Sequence, residues 1–383
     1  MKRLFLAVIL AAVLAAALPA CSAGETLPPP ESDGSAVPDP SPPSPSESDG
    51  EEPPESSSLP EQSPPESPSS VPEQTPPEGP ESDGANPISP WDYQQRLGKG
   101  MDVDWSKTNQ GRRHYNAQAA ADFAAAGVSH VRIRVADDLG EELLEGLDRQ
   151  IADCLEQGLI PIIAYQADDF KNDPSEENLR RVADWWGEVA ERYKGSSYLL
   201  SYDLLIEATD ALNKQPERLN DLYEQVVARI REHDPERILF ISPRLRSDPA
   251  YLTELEIPSR HNGYLMAEWH FYASGPSRTN EKKLWTTGTD SEKAIIDNKI
   301  RLALDWQRET GIPTWVGAWM PGNYNDGNDY TVEEQVVFAG FVTRQLTEAG
   351  IPFAVNSDTK FYDRESNRWI ETMKPVFQSI YGS

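Results

Sequence analysis

The chain has 383 residues, 33 prolines, two cysteines and a formal net charge of −28. Two cysteines leave no room for a disulfide framework or a cysteine metal site. The strong negative charge argues against nucleic acid or an anionic membrane surface as a ligand.

Lys2 and Arg3 precede an apolar stretch from Leu4 to Ala17, too short for a permanent membrane span. Leu18-Pro19-Ala20-Cys21 resembles a bacterial lipoprotein box; the alternative is an ordinary cleaved signal that contains a cysteine. On the lipoprotein reading, the mature chain starts at Cys21 and is lipid-anchored to the outer face of the membrane at the cell surface. Residues 22–90 form a linker with 20 prolines, 15 Asp or Glu and no Lys or Arg, in which Glu-Ser-Asp-Gly recurs at Glu31, Glu47 and Glu81. It lacks the apolar residues that would offset its ordering entropy. Proline and like-charge repulsion extend it to a reach on the order of 200 Å. The linker supplies −15 of the charge and the leader +2, so the remaining −15 falls on the globular part, a charge with which neutral sugar polymers are compatible.

About 290 residues follow, enough for one large core and better matched to a single barrel than to two small domains. Apolar strand segments are expected at 100–105, 130–136, 160–165, 199–207, 237–243, 264–272, 314–319 and 352–356, with 199–207 read as a fully buried strand that ends on Glu207. Helical spacing lies between them at 116–126, 141–157, 175–193, 216–232, 291–309 and 332–349, and 249–255 reads as a turn or two. Ser175 is a candidate N-cap, and Thr331 with Glu334 a capping box. Gly127, Gly158, Gly311 and Gly350 each close a helix just before a strand. This punctuation is that of a (β/α)8 TIM barrel in an α/β chain. Cys154, on the apolar face of a predicted helix, reads as a small buried hydrophobe.

Four motifs follow in order along the chain: Gly127 to Ile133, Trp185 to Lys194 followed by Leu204-Leu205-Ile206-Glu207, His270-Phe271-Tyr272, and Ile312 to Ala318. Together they resemble glycoside hydrolase family 5, the cellulase family, over roughly residues 95 to 380, and the second is similar to the helix and strand that lead to that family's catalytic acid/base. Two departures stand out. Ile206 and Ala208 replace the Asn and Pro around the acid/base, and Ala318 occupies the place after Gly317 where the family has its nucleophilic Glu. The resemblance implies a β-linked polysaccharide or oligosaccharide as ligand, bound by a monomer without cofactor.

Glu207 is the candidate general acid, or else a structural carboxylate at a strand end. Period-two alternation puts Asp203 inward beneath it, as a partner for Arg132 or Arg134. Arg132 matches the residue that supports the family's nucleophile, and is otherwise a core ion-pair partner. His270 and Tyr272 match the pair lining the sugar site, where imidazole and phenol can donate to a hydroxyl or to the reacting carboxylate. Trp319, at the strand mouth, is a candidate stacking surface for a pyranose ring or a core residue, whereas Trp269 and Trp315 are expected to face outward under helices. The loop 321–328 is expected to frame the cleft; it has too few carboxylates for a calcium site, and no metal is expected.

A retaining glycosidase needs two carboxyl groups, and alanine cannot attack an anomeric carbon. Three readings follow: a hydrolase whose second carboxylate comes from Asp137, Asp168, Glu268 or Asp358; a non-catalytic carbohydrate-binding pseudoenzyme; or a surface scaffold. Glu268, two residues before His270, is expected to lie a layer deeper as a buried partner of Arg132 or Arg134.

Overall fold

The computed structural model of the chain describes residues 84–272, 285, 287–322 and 330–382. The leader with Cys21, the linker up to residue 83 and most of the 321–328 loop lie outside the described residues. Eight strands close a barrel in sequence order: β1 (Lys99–Ser106), β2 (His130–Val135), β3 (Ile160–Tyr165), β4 (Ser201–Asp203), β5 (Leu239–Ile241), β6 (Leu265–Tyr272), β7 (Thr314–Met320) and β8 (Phe353–Asn356). All eight neighbouring pairs are parallel. The expected TIM barrel is the observed fold.

Helices alternate with the strands, and their ends follow local chemistry. Ser175 caps Glu176–Tyr193, Thr331 and Glu334 form the capping box of Val332–Glu348, and Thr289 with Glu292 forms a second box on Asp290–Thr310. Gly311 ends that helix at φ 73°, where its N–H reaches the Gln307 carbonyl. Pro249–Glu254 is a short 3-10 turn, as its sequence suggests. Among the described residues no helix is long and apolar enough to cross a membrane.

The linker boundary at residue 90 falls too late. The Gly84 carbonyl accepts from Tyr198 N, and Ile88 is buried. A helix over Pro90–Leu97, capped by Ser89, then closes the bottom of the barrel. Tyr93 and Leu97 join Ile162, Phe240, Met266, Trp315 and Ala354 in an apolar cluster that fills the lower half of the interior. The Tyr93 hydroxyl donates within this plug to the Leu199 carbonyl and lies 2.8 Å from Ser201 Oγ.

β4 is shorter than its apolar run. Beyond Asp203 only single bonds continue the ladder, Leu204 N to Phe240 O and Ile206 N to Tyr165 O, before Glu207 turns away at φ 56°. β7 departs from period two at Gly317. Trp269 pairs with Val316 but His270 pairs with Ala318, so one residue is skipped. Two expectations are corrected, the first by this bulge and the second by burial. Trp315 faces inward, donating to His130 Nε2 and lying 5.9 Å from the Arg132 guanidinium. Trp319 is fully buried against Phe271, Phe338 and Phe353, so it offers no face to a sugar. Trp269 packs outward, as expected.

Glycine is required at the bulge by contact as much as by register: a methyl group on Gly317 would collide with the Glu268 carboxylate. Gly317→Ala is expected to lower unfolding stability by ~3 kcal/mol or more, because a buried charge must move as well as a side chain. Gly195→Ala, which meets nothing, should stay within ~0.5 kcal/mol. Urea denaturation of the two variants measures the difference.

Candidate functional site

Above the apolar plug the barrel interior turns ionic. Arg132 on β2 reaches Asp203 on β4 at 2.6 Å, Glu268 on β6 at 2.6 Å and Asp102 on β1 at 3.6 Å. Arg134, two residues on, reaches Asp102 at 3.2 Å and Asp104 at 2.6 Å. All but Asp104 are nearly dry. The expected burial of Asp203 and Glu268 against Arg132 is what the structure shows. Burial pushes the carboxyls of Asp102 and Asp203 upward against the pull of the arginines. For Glu268 burial is outweighed by Arg132 and His270, which hold it below the usual range. Glu268 therefore carries the charge that Arg132 neutralises.

His270 is the next step upward. Nε2 lies 2.6 Å from Glu268 Oε1 and Nδ1 2.9 Å from Glu207 Oε1. Burial alone would discharge the ring, but the two carboxylates push it up to about 9. Both nitrogens then carry protons and donate.

Glu207 sits at the top of this column. Its Oε1 accepts from His270 and from the Tyr272 hydroxyl at 2.7 Å, and its Oε2 faces Arg246 Nη1 at 3.3 Å. Burial would raise its pKa; the hydrogen bonds from His270 and Tyr272 and the Arg246 charge bring it down to about 2. Glu207 is a fixed carboxylate at neutral pH.

A cleft of about 140 Å³ opens above these groups, and Ala318 lines it. Glu207, His270, Tyr272, Arg132 and Ala318 thus share one site, with Arg132 as its nearly dry floor (1% exposed). Trp319 is not part of it. Asp168 lines the cleft but is paired with Lys171 at 2.7 Å. Asp137 pairs with Arg112 at 2.8 Å, and Asp358 is buried between the Asp104 N–H and Arg364. Burial raises Asp358 to about 6. Asp137 and Asp358 are not among the cleft residues, and Glu268 lies beneath His270.

Sequence reasoning missed Lys171 and Arg246. Lys171 sits on a five-residue helix after β3 and donates to Gln166 and to the Ile206 carbonyl. Arg246 sits on a turn in which Leu245, Arg246 and Ser247 are all left-handed. No glycine or asparagine marks that turn, so the sequence carried no signal for it. Among the described residues no His, Cys, Asp and Glu cluster could hold a metal ion.

The raised pKa of His270 links the column to stability. Its contribution is fully present below the ring's ordinary value of 6.5 and is lost as pH rises through about 9. The shift corresponds to on the order of 3 kcal/mol. The wild type is expected to lose stability across that window, and His270→Gln to flatten the loss. Chemical denaturation at pH 6, 7.5 and 9.5 reads the slope; equal slopes in both proteins would refute a charged His270.

The family pattern described as Cellulase (glycosyl hydrolase family 5) matches residues 93–354. Endoglucanase H of Acetivibrio thermocellus is 23% identical over 310 residues, 74% of this chain and 33% of its own length. A β-xylosidase of Phanerodontia chrysosporium is 23% identical over 228 residues, 53% of this chain and 46% of its own. The chain therefore spans less than half the length of these curated relatives. Among solved structures, the endoglucanase Cel5A of the hyperthermophile Thermotoga maritima aligns with a TM-score of 0.67 at 20% identity, covering 76% of this chain and 100% of its own. Cel5A structures with cellobiose and with mannotriose, each covering 76% of this chain and 99% of their own, align at TM-score 0.66 and 20% identity.

Proposed function

The chain belongs to glycosyl hydrolase family 5, the cellulase family, and on that premise we propose that its barrel engages β-linked polysaccharide at the Glu207 cleft and holds it without hydrolysing it. One observation carries the reading. The carboxylate at the centre of the cleft is ionised and fully engaged, and the residue sharing the cleft from β7 is Ala318. On the family pattern, Ala318 stands where the nucleophile would be. Retaining hydrolysis needs two carboxyl groups ~5–5.5 Å apart, one of them protonated. A group held at about 2 has no proton to give to a leaving oxygen at neutral pH. His270 has protons, but it is buried and spends both on carboxylates. The other carboxylates lining the cleft are engaged elsewhere: Asp102 with both arginines, Asp168 with Lys171, Asp210 with the Thr209 hydroxyl.

The β-linkage rests on family membership and on the cellobiose and mannotriose complexes of the Thermotoga enzyme. Surface display rests on the sequence alone. In this proposal Cys21 carries the lipid, and the acidic proline-rich segment is the tether that holds the barrel away from the membrane. The overall negative charge fits a ligand other than nucleic acid.

Affinity gels containing cellulose derivatives, mannan, xyloglucan or mixed-linkage glucan should retard the protein while reducing ends stay at background. Release of reducing sugar that Glu207→Gln abolishes would instead establish a hydrolase. Ala318→Glu should raise hydrolysis by roughly two powers of ten or more, since it supplies an attacking carboxylate and a like charge that lifts Glu207. A folded Ala318→Glu protein with no gain would count against the placement of Ala318. Detergent-phase partition should take up the full-length protein from cells and lose it in Cys21→Ser; equal partition would remove the anchor.

A further inference from the structure

The charge of the cleft runs against that of the head around it. Residues 91–383 carry a net −15. Yet the cleft is lined by Lys107, Arg132, Arg134, Lys171 and Arg246 against Asp102, Asp168, Glu207 and Asp210. Most of these charges cancel locally. Asp102 is held by Arg132 and Arg134, Asp168 by Lys171, and Glu207 accepts from His270 and Tyr272 before it meets Arg246 at all. Asp210 accepts from its neighbour Thr209 and is exposed at the rim.

Two cations have capacity left. Arg246 is 24% exposed, and its one partner among the described residues is Glu207, met by a single nitrogen at 3.3 Å. Among the described residues the rest of its planar fork meets no partner, and the residue lines the cleft. Lys107 is 33% exposed and among the described residues has only a long 3.8 Å approach to Asp104. Lys107 also lines a neighbouring groove with Gln110, His114 and Arg364, so it stands where the cleft continues along the surface. A guanidinium fork beside a sugar site matches a carboxylate in shape as well as in sign.

We propose that the cleft selects a β-linked glycan bearing a carboxylate, a uronic acid unit or substituent, with Arg246 as the residue that reads the carboxylate and Lys107 as a second cation along the chain. The inference rests on the glycan-binding reading above and narrows it. A polyanion would be repelled by the head as a whole. A mostly neutral backbone with sparse carboxylates meets the local field without that penalty. Glu207 does not oppose the arrangement, because its charge is already matched by His270.

The test uses the full chain and pairs of polymers that differ only in the carboxylate: glucuronoxylan against its carboxyl-reduced form, and sparsely substituted carboxymethylcellulose against equally substituted hydroxyethylcellulose. Retardation should favour the carboxylated member of at least one pair by about tenfold in apparent affinity, as expected for a charge-assisted contact, and the preference should shrink with added salt. Arg246→Gln keeps a donor for Glu207 but removes the charge, and should bring the two members of each pair to equal apparent affinity. Lys107→Met, at a partly exposed position, should reduce the preference. Equal retardation by both members of every pair, or a preference that survives in both variants, overturns this inference and leaves glycan binding standing. No retardation by any polymer from a folded protein overturns glycan binding and this inference together.

Discussion

The guanidinium of Arg132 is the constraint on which the upper half of the barrel depends. It faces three carboxylates from three different strands, in a space that water does not reach. Without it, Asp203, Glu268 and Asp102 would be buried with too little positive charge, and removing one partner of such a set costs about 3–5 kcal/mol. With it, Glu268 stays ionised, and an ionised Glu268 keeps His270 protonated. His270 in turn fixes one oxygen of Glu207. Four side chains from β2, β6 and the end of β4 thus form one column of alternating charge, Arg132 to Glu268 to His270 to Glu207. The apolar plug of Tyr93, Leu97, Trp315 and Phe240 lies at its lower end.

This column also explains the acidity of Glu207. In a two-carboxylate site the acid is kept protonated partly by repulsion from its ionised neighbour. No such neighbour faces Glu207 from β7, where Ala318 stands, while His270, Tyr272 and Arg246 all favour the charged form. On the reading proposed here, the missing nucleophile and the depressed pKa are one fact seen twice. Loss of the opposing charge removes the force that would make the remaining carboxylate an acid. Restoring a single acidic side chain at 318 therefore changes two properties of the site at once.

The strand and helix pattern was legible in the sequence because it is carried by local signals: apolar runs, glycine stops and capping residues. The inward register of β4 and β6 was legible too, since period two holds there, and it placed Asp203, Glu268, His270 and Tyr272. The same rule failed on β7. Gly317 inserts a bulge that turns Trp315 into the core of the barrel while Ala318 stays on the cleft side. The bulge is dictated by the Glu268 carboxylate on the neighbouring strand, a contact between residues far apart in the chain. Arg246 and Lys171 were invisible for a related reason. Lys171 reaches the cleft from the five-residue helix after β3, and Arg246 from a left-handed turn held by tertiary contacts, Arg246 N to Ala208 O and Leu245 N to Asn213 Oδ1.

Those turns bear on whether the cleft is a working site or an inert relic. Eight described residues other than glycine adopt positive φ, and six of them, Ala167, Glu207, Asp210, Leu245, Arg246 and Ser247, lie on the loops after β3, β4 and β5. For alanine, leucine, glutamate and arginine this conformation costs about 1–2 kcal/mol each. A scaffold needing only to fold would gain from relaxing them, and the barrel has ample core to stand without them. Three of the six, Glu207, Asp210 and Arg246, line the cleft itself. Strain gathered at a charged cleft is what a site shaped for a ligand displays. It weighs against the structural-scaffold reading.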